Sequence, residues 1–324
     1  MLTQSAATQP ESFSESSNSS TAIALKANQL LSTQALNTLN VRSNLKGGLQ
    51  LAGHLAVMGV SGYLWATQSD SLFIALPALI LYGVSLAAMF APMHECCHRT
   101  AFANNRLNDG VAWFAGLLSF YNSAFYRRYH KWHHRYTQIP EKDPELSDRK
   151  PQTLAEYLVV ISGFNWWIGK IRGHLRIAFG SLEGCPYISD TVRSEVIRST
   201  RLQLLVYGVA IALSIAYQHP WFLLYWVLPL AVGQPVLRAF LLAEHTGCTH
   251  DDNALTNTRT TLTIAPFRWL MWNMPFHAEH HLYASIPFHA LPAAHKVLQS
   301  HFSHVDQGYV KVNRSIIAQL GSHL

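Results

Sequence analysis

Eight histidines fall in three short clusters, H-E-C-C-H at 94–98, H-K-W-H-H at 130–134 and H-A-E-H-H at 277–281. Imidazole is a ligand for iron, zinc, copper and nickel. On a helix, residues three and four apart share a face. His130 is therefore flanked by His133 and His134, and at about 100° per residue the rings spread far enough to reach two different ions. His277, His280 and His281 repeat the arrangement, and His94 and His98 stack one turn apart. Eight imidazoles exceed what one tetrahedral ion can use, so the spacing implies a dinuclear metal site. The first cluster also matches H-E-x-x-H, the zinc-protease pattern in which Glu95 would be the general base. A membrane zinc metalloprotease, however, would leave the other two clusters without a role. Metal transport or storage is the non-enzymatic alternative. A transporter should place ionisable residues at mid-membrane, and the apolar stretches of this chain hold few.

The elements that must position these clusters are apolar. Of 324 residues 49% are hydrophobic and only 13% charged, against about 25% charged in soluble domains. Long apolar stretches run over 49–67, 71–93, 201–218 and 221–243, each near the roughly 20 residues a membrane helix needs. Gln68, Ser69 and Asp70 join the first pair, and His219 and Pro220 the second, making two tight hairpins. Two shorter apolar segments, near 111–125 and 154–169, carry Trp113, Trp166 and Trp167 and read as interfacial helices. All 24 Lys and Arg lie in 26–46, 99–201, 238 or 259–314, and neither hairpin tip holds any. The positive-inside rule then puts both termini and the long 94–200 loop in the cytoplasm, with every histidine cluster on that side. The expected fold is an all-α integral membrane bundle: four transmembrane helices in two hairpins, interfacial helices, and a cytoplasmic helical cap holding the metal site. Its expected extent is 25–305, between a disordered tail over 1–24 and a C-terminal tail over 306–324.

Residues 1–24 are rich in Ser, Thr and Gln and hold no Lys or Arg. They lack the apolar core of a signal peptide and the arginines of a transit peptide. The net charge is +6, but no Lys/Arg run accompanies it, so no nucleic acid is expected as a partner. The sequence has no fixed-period repeat, no G-x-G-x-x-G and no P-loop lysine motif. The cysteines, Cys96, Cys97, Cys185 and Cys248, form no C-x-x-C pair. They are expected to stay reduced on the cytoplasmic side.

The three clusters, in this order and with apolar spans between the first pair and before the last, resemble the membrane fatty-acid desaturase superfamily. The resemblance covers roughly 49–300. H-A-E-H-H-L-Y-A-S-I-P at 277–287 is similar to the third histidine box of bacterial acyl-lipid desaturases. H-H-R-Y-T at 133–137 with D-P-E at 143–145 fits the second. The resemblance implies a non-haem centre of two iron ions, with O2 as co-substrate, that oxidises an unactivated C–H bond of a lipid or fatty-acyl chain. It further implies a ninth ligand, His245, after the fourth span, making the set His94, His98, His130, His133, His134, His245, His277, His280 and His281. Acyl-CoA members carry an asparagine four residues before that histidine, where this chain has Leu241. A proline that often follows the third box is here Ala284. No H-P-G-G motif of a fused cytochrome b5 is present, so a separate ferredoxin or similar carrier should supply electrons. Localisation in a bacterial inner membrane follows from the same likeness. Hydroxylases, ketolases of carotenoids and alkane monooxygenases share the boxes, so desaturation of an acyl chain is the leading reading and these are its alternatives.

Around the ligands, Glu95, Asp143, Glu244 and Glu279 are candidates to orient the rings, with salt bridges to Arg99, Arg127, Arg128 or Arg135 as the plain alternative. The substrate chain is expected in a narrow apolar tunnel. The isolated histidines, His295 among them, read as structural. Trp132 and Tyr136 read as packing, Cys96 and Cys97 as small buried residues, and Arg238 as a cation snorkelling to the headgroups.

Overall fold

The computed structural model describes residues 29–147 and 149–321 and is mostly helical. The tail expected over 1–24 lies outside the described residues. After a short helix α1 (Thr33–Leu39), Ser43 starts α2 (Asn44–Thr67) by accepting a hydrogen bond from Lys46 N on its hydroxyl, which satisfies one of the unpaired amides of the first turn. A tight turn leads into α3 (Leu72–Ala87), which continues through Ala88 and Met89 into α4 (Phe90–Cys97). Asn104 and Asn122 cap α5 (Asn105–Leu118) and α6 (Ser123–Tyr136) through their side-chain oxygens. Next come α7 (Leu154–Ser162), α8 (Phe164–Ala178), α9 (Asp190–Ala216) and, after a wide turn at Leu223–Val227, α10 (Leu228–His245).

Three of these helical runs are long and apolar enough to cross a membrane: Leu72–Cys97, Asp190–Ala216 and Leu223–His245. The expected first span forms α2, but Gln50, His54 and Ser61 dilute its apolar character, and it falls outside that group. Both expected interfacial helices are interrupted. The 111–125 segment breaks between α5 and α6, where Phe120 takes a positive φ of 59°. The 154–169 segment breaks at Gly163, whose φ of 75° ends α7 in the left-handed conformation that favours glycine.

The long helices meet at very short range. Gly83 of α3 and Gly233 of α10 lie so close to the facing helix that a Cβ on Gly83 would overlap the Pro229 carbonyl and one on Gly233 the Gly83 carbonyl, the small-residue contact by which membrane helices approach. This crossing fixes the relation between the helix ending in the first cluster and the one ending at His245. The outer faces carry Phe73, Ile80, Leu205 and Ile215 fully or largely exposed, a surface suited to lipid.

The third cluster lies on α12 (His277–Leu282), which follows β1 (Thr260–Leu262) and α11 (Ala265–Leu270). After α13 (Leu291–Leu298), β2 (Val305–Gln307) pairs parallel with β1, Thr260 opposite Val305. The chain ends in α14 (Tyr309–Ala318). The segment from 306 onward, expected as a tail, is therefore folded up to Ala318. Asp306 accepts from Arg259 Nε at 2.9 Å, Asn313 accepts from Tyr157 OH at 2.9 Å, and Val312 and Ile316 pack on Leu242 and Ala243 of α10. The helix closes the C-terminal end of α10, which the short and weakly apolar sequence of α14 did not announce. The pair of strands is also a small departure from an all-α fold.

Candidate metal centre

Four helices deliver the nine histidines. α4 ends in the first cluster, α6 carries the second along one face, α10 ends on His245, and α12 supplies the third. The structure brings all nine together, most of them buried. They divide into two groups. In the first, His94, His98, His130, His134 and His280 each offer a ring nitrogen within 4.8 Å of the others. In the second, His133, His245 and His281 do the same, and His277 joins them with its Nε2 3.3 Å from Nε2 of His245. His134 and His281 stack at 4.1 Å where the groups meet.

Hydrogen bonds select which nitrogen faces inward. Nδ1 of His133 donates to Asp143 Oδ1 at 2.9 Å, and Nδ1 of His245 donates to the Asn257 carbonyl at 3.0 Å. Thr137 Oγ1 spends its one proton on the His133 carbonyl at 2.8 Å. At 3.2 Å from His281 Nδ1, it must therefore accept from that ring. In each case Nε2 is left for the interior. Nε2 of His98, His280 and His281 and both nitrogens of His94 are buried with no hydrogen-bond partner among the described residues. Buried polar atoms are normally paired, so this set fits a cation.

The protonation states agree. Burial, with the neighbouring imidazoles adding to it, pushes His130, His134, His277, His280 and His281 well below the ordinary histidine range. Burial, with Arg127 nearby, pushes His98 down to about 3. They are thus neutral and able to bind metal. His133 differs: burial opposes its charge, but Glu145 and Asp143 together outweigh that and raise its pKa. Asp143 itself is lowered: against the cost of burial, the bond from His133 and the amides of Glu145 and Gln138 hold it charged.

The four carboxylates divide. Asp143 touches a ring directly. Glu244 Oε1 approaches His277 Nδ1 to 3.3 Å, without the alignment of a hydrogen bond. Glu95 instead accepts from Thr100 Oγ1 at 2.6 Å and from Phe288 N at 3.0 Å, and so is not poised as a protease base. Glu279 is taken by Thr260 Oγ1 and His295 Nδ1, each at 2.5 Å. None pairs with the arginines named above: Arg99 and Arg127 bind Asp109, Arg128 binds Glu195, and Arg135 lies over the Tyr136 ring. His295 is thus a supporting residue that its isolation in the sequence concealed. So are Tyr126, with its hydroxyl 3.3 Å from His130 Nδ1, and Thr137. The four cysteines are buried and free.

A cavity of about 600 Å³ reaches both groups, touching His94 and His130 of one and His133 and His277 of the other. Phe90, Leu241 and Met274 line it, and so do Lys170 and Arg238. Arg238 was expected to reach outward to headgroups. It points inward, donating from Nη2 to Tyr121 OH at 2.9 Å. The wall is more polar than an apolar tunnel.

The sequence model of the family described as fatty acid desaturase matches residues 71–312. An sn-1 oleoyl-lipid 12-desaturase of Picosynechococcus is 25% identical over 250 residues, covering 71% of this chain and 70% of that protein. A dihydrorhizobitoxine desaturase of Bradyrhizobium elkanii is 26% identical over 289 residues, with 84% and 79% covered. A human sphingolipid delta(4)-desaturase/C4-monooxygenase is 26% identical over 231 residues, with 68% and 65% covered. A match over far more than half its length, from the helix that carries the first histidine cluster to the one that closes the site, means that this chain belongs to the fatty acid desaturase family and is a membrane oxidoreductase of the desaturase type.

Proposed function

We propose that this chain introduces a double bond into the acyl chain of a fatty acid or lipid. The observation that carries the reading is the pair of histidine groups sharing one wall of a single cavity. His94, His98, His130, His134 and His280 would hold one iron, and His133, His245, His277 and His281 the other. Bound iron would supply, with O2, the oxidising power to remove two hydrogens from an unactivated chain while the oxygen is reduced to water. Balance requires two electrons from outside, and a ferredoxin-like carrier is the proposed source. The protein's own part is positional. Asp143, the Asn257 carbonyl and Thr137 hold three rings at Nδ1, so that Nε2 is already aimed before metal arrives. The buried surroundings keep water from the reaction.

In this reading α2 completes a bundle of four spans, and both hairpin tips, free of Lys and Arg, lie outside the inner membrane of a bacterium. The histidine groups then face the cytoplasm under a cap made by α6, α12 and α14. Hydroxylation is the second reading, favoured by the dual name of the sphingolipid relative.

Lipid analysis of cells expressing the chain, with metal analysis of the protein purified without oxygen, tests this. New unsaturated acyl chains and about two irons per chain are expected, since imidazole suits iron. Hydroxylated chains alone select the second reading. One zinc per chain with undiminished product would overturn the di-iron assignment.

A further inference from the structure

In the cavity, which Glu145 and Glu244 also line, two hydrogen-bond donors of one cluster, the Tyr121 O–H and Arg238 Nε, face no acceptor among the described residues. Tyr121 OH accepts from Arg238 Nη2 at 2.9 Å and from Trp166 Nε1 at 3.0 Å. A hydroxyl has two lone pairs and one proton. With both lone pairs engaged, the Tyr121 O–H is left to donate, and it has no acceptor among the described residues. Arg238 Nε is buried and likewise without a partner among them. The Lys170 ammonium lies 3.6 Å from the centroid of the same tyrosine ring, and the Arg238 guanidinium is 5.4 Å from that of Trp166. Tyr121, Trp166, Lys170 and Arg238 all line the cavity. Arg238 also interrupts one of the three helical runs apolar enough to cross a membrane. A cation there is expensive unless it is used.

We infer that Tyr121, Arg238 and Lys170 form an anion seat inside the substrate cavity, so that the substrate enters with a carboxylate or phosphate group and not as a neutral chain alone. The inference rests on the desaturase reading for what happens next, but not for binding. The seat's place sets a ruler. Arg238 stands seven residues before His245 on α10, two turns and about 10 Å along the axis. Leu241 lines the wall between them. A bound anion would therefore fix how far along the chain the oxidised carbon lies. Guanidinium, phenol and ammonium together suit a carboxylate or phosphate. The carboxylate would come from a free acid, the phosphate from a lipid headgroup.

Binding can be read without turnover. Metal-free protein in nonionic detergent is titrated calorimetrically with octanoate, octyl phosphate and methyl octanoate. At least one of the two anions should bind about tenfold or more tighter than the ester, the scale of hydrogen bonds to charged groups. Tighter octanoate identifies a free-acid substrate, and tighter octyl phosphate a phosphate-bearing lipid. Arg238→Gln and Lys170→Gln should each shrink the preference, and Arg238→Lys should keep part of it. An ester that binds as tightly as both anions overturns the seat, whether or not the variants fold. So does an unchanged preference in folded Arg238→Gln. If the anion preference holds but iron-loaded enzyme forms no oxidised chain, the seat stands and the desaturase reading fails.

Discussion

The five-histidine group, His94, His98, His130, His134 and His280, has the Tyr126 hydroxyl 3.3 Å from His130 Nδ1, and a carboxylate reaches it only at its border, where Glu145, His130 and His133 lie within 4.8 Å of one another among the described residues. The group of His133, His245, His277 and His281 is bordered by Asp143 at 2.9 Å, Glu244 at 3.3 Å and Glu145 at 3.6 Å. Counter-charge is thus concentrated on the second half of the centre, with Glu145 at the boundary between the two. A divalent ion in the first would have less of its charge offset in a medium of low dielectric, which would make it the stronger electrophile and the harder to retain. The proposal that follows is of two inequivalent metals, one reactive and one anchored.

The largest effect should come from removing one ring from each group. His280→Ala takes a proposed ligand from the less charged group, and His281→Ala takes one from the more charged group. Both should cost more than the roughly 10–100-fold typical of changes behind the ligands. Metal analysis should give about one iron per chain in each, with different residual Mössbauer signals. Identical residual signals would abolish the distinction between the groups.

The next effect tests the counter-charge. Asp143→Asn leaves a hydrogen-bond acceptor for His133 Nδ1 but removes the charge. Activity or iron affinity should fall about 10–100-fold, while Glu95→Gln, whose carboxylate bonds Thr100 and Phe288 among the described residues, should leave iron binding nearly intact. Equal losses would mean that the carboxylates matter only for folding.

Proton uptake gives a third test. His98, lowered to about 3, is neutral in the fold but charges in the unfolded chain below its ordinary value of about 6.5. Its contribution is therefore present above about pH 6.5 and is lost as pH falls toward 3. The other lowered histidines act in the same direction. His133, raised by Glu145 and Asp143 against its burial, acts oppositely: its contribution is present below about pH 6.5 and fades as pH rises through its folded value. Metal-free protein should thus lose thermal stability on acidification below about pH 6.5. NMR titration should find His133 as the cluster ring that charges first. In Asp143→Asn that ring should titrate lower.

The sequence made the histidines legible because helical spacing is a local property: i, i+3 and i+4 share a face whatever the tertiary fold. It made the long apolar helices legible for the same reason. What it hid was non-local. His295 meets Glu279 only because α13 folds back on α12, and Glu95 is spent on the amide of Phe288, 193 positions away. Arg238 looked like a membrane-edge cation because its partners, Tyr121 and Trp166, come from two other parts of the chain. Residues 306–318 looked like part of a tail because a three-residue strand and a ten-residue helix gain their order from pairing and docking, not from their own periodicity.

The smallest effect concerns the neutral partners and tests whether charge or mere orientation anchors the second group. Thr137 donates to the His133 carbonyl and accepts from His281 Nδ1, tying the second and third clusters together with one hydroxyl. Thr137→Val keeps the shape and deletes that acceptor. The His281 Nδ1–H then loses a neutral bond of about 1 kcal/mol, and the ring can turn its Nε2 away. Iron loss to a chelator should speed up by a few-fold, the rate equivalent of that energy, clearly less than in Asp143→Asn. Thr137→Ser should restore the wild-type rate. If Thr137→Val matches Asp143→Asn, ring orientation is what distinguishes the two groups, and the counter-charge adds nothing to it.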